Sequence, residues 1–135
     1  MEVYLISACL MGLKTKYDGE IIVSDIGMKA VAGAVCIPVC PEQLGGLPTP
    51  RVAADLTAGN GHDVLAGRSR VITKTGLDVT VNFILGARQV LEIAKHQHIT
   101  KVFLKARSPS CGLNPRVGVT AALLQAEGFT VVEME

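Results

Sequence analysis

The chain has 135 residues, 49% of them hydrophobic and 19% charged, and a formal net charge of +1. This length can close one hydrophobic core without disulfides, and the composition is globular and excludes a disordered chain. With charge nearly balanced and no block of Lys or Arg, nucleic acid is disfavoured as a partner, because a polymer groove leaves a basic stripe.

Aromatic residues are only 4%, with no Trp, so the core must be built from Val, Ile, Leu and Ala. Such a core suits buried parallel strands flanked by helices. No apolar run approaches the roughly 20 residues that span a bilayer, so no membrane partner is expected. The opening segment MEVYLISACL lacks a basic leader and reads as a strand, which points to the cytoplasm. In that compartment cysteines are more often free, metal-bound or catalytic than bridged. Nothing in the sequence indicates the oligomeric state.

Residues 2–8 (EVYLISA) predict a buried strand ending just before Cys9. Residues 10–20 read as loop. Residues 24–34 predict a helix capped by Ser24 or Asp25 and weakened by Gly27 and Gly33. A second strand, 35–39 (VCIPV), leads directly into Cys40, with Pro38 expected to end its pairing. The Pro- and Gly-rich stretch 41–50 predicts loop. Residues 51–80 alternate short β-like pieces with turns, a hairpin excursion. Asp78 or Thr80 then caps the strongest helical pattern, residues 81–97. A strand over 100–105, a loop over 107–117, a helix over 119–127 ended by Gly128 and a strand over 129–133 complete the chain.

This order calls for right-handed crossovers and a small Rossmann-like α/β domain of three layers. Its sheet is mainly parallel, of about four strands, with the hairpin added, and one domain is expected over residues 1–135. Ligands of such sheets sit beyond the carboxyl ends of the strands. Cys9 and Cys40 fall there after the first two strands, and Cys111 lies in the loop after the third. Each alone reads as a small buried hydrophobe; the shared rim points to one metal–sulfur site. Cys36, about 13 Å from Cys40 along an extended strand, reads as core.

Structural zinc favours four closely spaced Cys or His ligands, which the sequence lacks. Three thiolates without a fourth suit a [4Fe–4S] cluster with one iron open to substrate. Zinc held by three cysteines and water is the inorganic alternative. An exposed cluster of this kind is readily lost in air. His96 and His98 suit a helix end, and His62 reads as solvated. Glu42, two residues after Cys40, could serve as a general base or be a surface carboxylate. Ser108, three residues before Cys111, could be catalytic or an ordinary Ser-Pro turn, with Lys105 and Arg107 nearby. The helix beginning near Gly118 could aim its N–H groups at an anionic cluster.

The motifs SACLMG (7–12), YDG (17–19), PVCPEQLGGLPTPR (38–51), GNGHDVLAGRSRV (59–71), KARSPSCG (105–112) and GVTAALL (118–124) occur together. In this the chain resembles a family long known as a domain of unknown function, which includes bacterial thiouracil desulfidases. The resemblance covers nearly the whole chain. It implies a [4Fe–4S] cluster held by Cys9, Cys40 and Cys111, with Glu42 and Ser108 as catalytic residues. Cys36 matches no ligand of the family. Family members carry a longer Gly- and aromatic-rich segment between the last two motifs. Here residues 113–117 (LNPRV) fill that space, with Arg116 as the residue that could take over its contacts.

The expected activity is non-redox removal of sulfur from a thiolated pyrimidine or related thioamide, with hydrosulfide as product. The alternatives are a non-catalytic iron–sulfur carrier or redox sensor, and a zinc-binding Rossmann-like module.

Overall fold

The computed structural model describes residues 2–21, 28–29 and 31–135. Four parallel strands form the main sheet: β1 (Val3–Ser7), β2 (Val35–Val39), β5 (Lys101–Lys105) and β6 (Val131–Met134). Their spatial order is β2-β1-β5-β6. The chain leaves β1 for β2 on one side and later returns to β5 on the other. That reversal opens a crevice at the carboxyl ends of β1 and β5, the usual ligand position in open α/β sheets.

Side chains alternate across the sheet with period two. Leu5, Val39, Val102 and Leu104 face one side, where they pack with Val90, Leu91, Ala121 and Leu124. Those partners belong to the helices α3 (Thr80–His96) and α4 (Val119–Ala126). Ile6 and Phe103 face the other side, with Tyr4 and Cys36 against them. Alternation therefore sends the Cys36 side chain to the opposite face from that of Val39. Cys36 is half-buried there.

The excursion holds two short antiparallel strands, β3 (Ala54–Leu56) and β4 (Val71–Thr73). GNGH is not a tight turn between them. It opens a short helix, α2 (Gly61–Leu65), capped by Asn60. The Asn60 side chain accepts from the N–H groups of His62 and Asp63, and the Asp63 carboxylate accepts from Asn60 N–H at 2.9 Å. This is a reciprocal capping box. His62 is exposed.

Three further local expectations need correction. Pro38 does not end β2, since the register runs on to Val39 opposite Ser7. β2 is an edge strand, where a missing N–H costs the ladder nothing. Residues 41–50 are not all loop, because Pro41–Leu44 form a short helix, α1, with proline at its first turn. The residue at the cap of α3 is Val79, and Asp78 accepts the Thr80 N–H at 2.9 Å. Of the helix expected over residues 24–34, residues 24–27 and 30 lie outside the described residues; residues 28–29 are helical and residues 31–33 form a turn. Among the described residues, no helix is long and apolar enough to cross a membrane.

Candidate active site

Cys9 sits in a 3-10 turn (Ala8–Met11) directly after β1. Cys40 lies between β2 and α1, and Cys111 follows β5 by six residues. β1 is flanked by β2 and β5, so all three segments emerge side by side. The three thiols line one cavity of about 460 Å³, together with Glu42, Ser108 and Lys105. None is in a disulfide.

Burial dominates the electrostatics of this wall. It pushes the Cys111 thiol up to about 12, with further upward pressure from Cys9, Glu42 and Cys40 and an opposing hydrogen bond from Ser7. The Cys9 thiol is raised by burial and then by Cys40, while the Lys105 charge opposes the shift. Cys111 thus feels the charge of Cys9 and Cys40, and Cys9 feels that of Cys40. Desolvation and like charge both favour neutral thiols until a cation offsets them.

The Cys111 loop is fixed from both ends. Ser108 Oγ accepts from Ser110 N–H at 3.1 Å and Cys111 N–H at 3.0 Å. A serine hydroxyl accepts through two lone pairs and donates one proton. With its acceptor capacity used, its proton is free to point elsewhere. Gly118, where α4 begins, lies so close to the Ser110 carbonyl that a Cβ would collide with backbone. The N–H groups of Val119 and Thr120 are taken by the carbonyls of Pro109 and Ser110 at 2.9 and 2.8 Å. The helix start therefore holds the cysteine loop, and those N–H groups are not available to an anion, contrary to the sequence expectation.

Glu42 is held by Arg51, whose Nε donates to Oε1 at 3.0 Å. Arg51 also reaches the Thr15 carbonyl at 3.0 Å and approaches the Cys40 sulfur at 4.0 Å. The sequence reading gave Arg51 no role, although it ends the PVCPEQLGGLPTPR motif. A cation nine residues after an acid carries no periodic signal, and only the return of the 45–51 loop brings them together. Ser7 was missed for a similar reason. Its hydroxyl takes the Lys105 N–H at 2.9 Å, linking the ends of β1 and β5, and it opposes the upward shift of the Cys111 thiol.

Lys105 keeps its place at the rim, with Nζ donating to the Ala106 carbonyl at 2.9 Å. Arg107 also lines the cavity, and its Nη1 donates to Glu135 at 2.6 Å. Arg116 lies on the cavity rim, where Nη2 meets Asp55 at 2.8 Å and Nη1 meets the Gly59 carbonyl at 3.3 Å. The short 113–117 segment is thereby tied to the β3–β4 excursion. His96 bonds the Glu92 carbonyl at the end of α3, and neither His96 nor His98 lines the cavity.

The donor set can be tested against a single ion. Tetrahedral zinc at about 2.3 Å from each sulfur needs thiols about 3.8 Å apart. Among the described residues no three His, Cys, Asp or Glu side chains converge on a position for one ion. Three free thiols spread around a cavity fit a larger group with soft, thiophilic metal atoms.

A model of the 2-thiouracil desulfurase family matches residues 4–135. The Bacillus subtilis (strain 168) protein YbbK, described as uncharacterized, is 38% identical over 140 residues, covering 95% of this chain and 93% of its own. A solved structure of the [4Fe–4S]-dependent thiouracil desulfidase TudS is similar with a TM-score of 0.78 and 36% identity. That match covers 98% of this chain and 91% of the other. The chain belongs to the 2-thiouracil desulfurase family.

Proposed function

We propose that the protein is a [4Fe–4S]-dependent desulfidase that converts a thiolated pyrimidine, or a related thioamide, to its oxo form. The balance is non-redox: one water enters, the carbon–sulfur bond breaks, a carbon–oxygen bond replaces it and hydrosulfide leaves with a proton. Family membership supports the reaction class, and the TudS likeness supports the cofactor. The observation that carries the reading is three free thiols and a clamped carboxylate around one cavity.

In this reading Cys9, Cys40 and Cys111 hold the cluster. When bound, it supplies an open iron, a Lewis acid toward the thiocarbonyl sulfur. Glu42 has one oxygen fixed by Arg51, and its second oxygen has no hydrogen-bond partner among the described residues. That oxygen accepts the proton of the attacking water. Ser108 donates its free proton to the substrate as charge develops on it. Lys105 offsets the negative charge of the thiolate wall. The Arg116–Asp55 pair lies on the rim of the cavity, where substrate enters. The site is expected to work in the cytoplasm, where thiols stay reduced.

Anaerobic reconstitution followed by assay of sulfide release from 2-thiouracil tests the proposal. Sulfide and uracil in equal amounts are expected. An intact cluster with no turnover of thiouracil or simple thioamides would refute the activity. A Glu42→Ala variant that keeps its cluster but loses turnover separates the enzyme from a carrier or sensor.

A further inference from the structure

Arg51 is almost fully buried, with a side chain 7% exposed, and its partners come from three separate stretches of chain. Nε donates to Glu42; Nη1 donates to the Pro48 carbonyl at 3.2 Å and Thr49 Oγ1 at 2.8 Å. Nη2 donates to the Thr15 carbonyl and faces the Cys40 sulfur. The Arg51 backbone N–H adds a bond to the Tyr17 carbonyl at 2.7 Å. A guanidinium has five donors in a rigid fork. Four make hydrogen bonds within the protein and the fifth faces the Cys40 sulfur at 4.0 Å, so none points to a substrate.

We infer that Arg51 is the positioning residue of the reaction. It fixes Glu42 and the Cys40 turn against the loop that follows Cys9, so that base and cofactor thiols keep one geometry. The inference rests on the proposed role of Glu42. Neither Lys nor Met can reproduce the fork: Lys keeps the charge near Glu42 but loses the planar set of contacts, and Met loses both.

Two readouts test this. In cluster-loaded protein, with rates normalised to iron, Arg51→Met should lower kcat by about 100-fold, the cost of an ångström-scale misplacement. Arg51→Lys should lower it by about 10-fold, with KM within about threefold of the parent in both. If Arg51 acts through Glu42, adding Arg51→Lys to a Glu42→Gln chain should cost less than about threefold more. A rise in KM with kcat preserved would make Arg51 a substrate ligand, and an equal loss in both backgrounds would make it merely structural. Either result overturns the inference.

The second readout needs no activity. In the cluster-free chain, the Arg51 Nε–H NMR signal, identified by its loss in Arg51→Lys, should be protected from solvent exchange and should shift in Glu42→Gln. An unshifted signal would contradict the clamp. Absence of sulfide from the parent chain would instead defeat the desulfidase reading, while the NMR result still decides the clamp. Should Arg51→Met fail to fold, Arg51→Lys carries both readouts.

Discussion

Gly86, in the middle of α3, packs against the carbonyl of Pro41 so tightly that a Cβ would overlap it. Gly45 meets Asn82 in the same way, and Asn82 Nδ2 donates to the Gly45 carbonyl at 2.9 Å. The short helix carrying Glu42 is thus seated directly on the backbone of the longest helix. Because the obstructing atoms are backbone, neither element can yield by a rotamer change. Gly86→Ala should therefore destabilise the chain by about 1–3 kcal/mol, the usual range for overpacking. Urea unfolding of the cluster-free protein measures this, and an unchanged midpoint would show that the two helices can slide apart.

Ser108 accepts two backbone N–H bonds in the loop that carries Cys111. Ser108→Ala leaves both N–H groups without that partner, which should cost about 1–3 kcal/mol of stability. The same change removes the proposed donor to the substrate and should lower kcat by about 100-fold. Measuring both on one preparation separates the effects. A variant with parental kcat would remove Ser108 from the chemistry, whatever its stability.

Asp78 accepts from Thr80 and pairs with Arg70 at 2.9 Å, and these contacts pull its carboxyl from 3.8 down to about 2. An acid whose folded value is depressed adds stability that is present above its unfolded value. That contribution is lost as pH falls through the folded value. Melting temperature of the parent should therefore fall between about pH 4 and pH 2 more steeply than that of Asp78→Asn. Parallel curves would show that the Asp78 contacts do not persist in solution.

How far these features were legible in the sequence depended on the range of the interaction. The bounds of β2 were legible from its apolar run leading into Cys40, although Pro38 was expected to end its pairing and does not. The long helix was found to within a residue at each end from the spacing of Phe83, Val90, Leu91 and Ala94. Cys9, Cys40 and Cys111 were singled out because strand ends on a parallel sheet share a rim, a rule of topology and not of local sequence. What stayed hidden depended on loops folding back. The Arg51–Glu42 pair, the Ser7 bridge and the Arg116–Asp55 tie all join segments whose proximity has no periodic trace. The short helix at Pro41 was hidden by that proline and by Gly45, Gly46 and Pro48 just after it, which together read as loop. In the fold its N-terminal proline is tolerated at the first turn.

Arg116 and Asp55 form an exposed pair at the cavity entrance, with side chains 37% and 72% accessible. Such pairs add at most about 1 kcal/mol, so Arg116→Ala should barely change the melting temperature. It should instead raise KM for thiouracil, because residues 113–117 lose their tie to the excursion. Steady-state kinetics beside a thermal melt will tell the two apart. A large loss of stability with unchanged KM would show that the pair holds the fold and not the entrance.

The proposed chemistry requires Cys9, Cys40 and Cys111 to act together as the ligands of one cluster. Iron and sulfide analysis of anaerobically reconstituted protein, comparing the parent with each Cys→Ser variant, tests that most directly. Four irons and four sulfides per chain are expected in the parent and in Cys36→Ser, by the stoichiometry of a [4Fe–4S] centre. Marked loss is expected in each of the other three variants. Full iron content in any one of those three, or its loss in Cys36→Ser, would contradict the assignment.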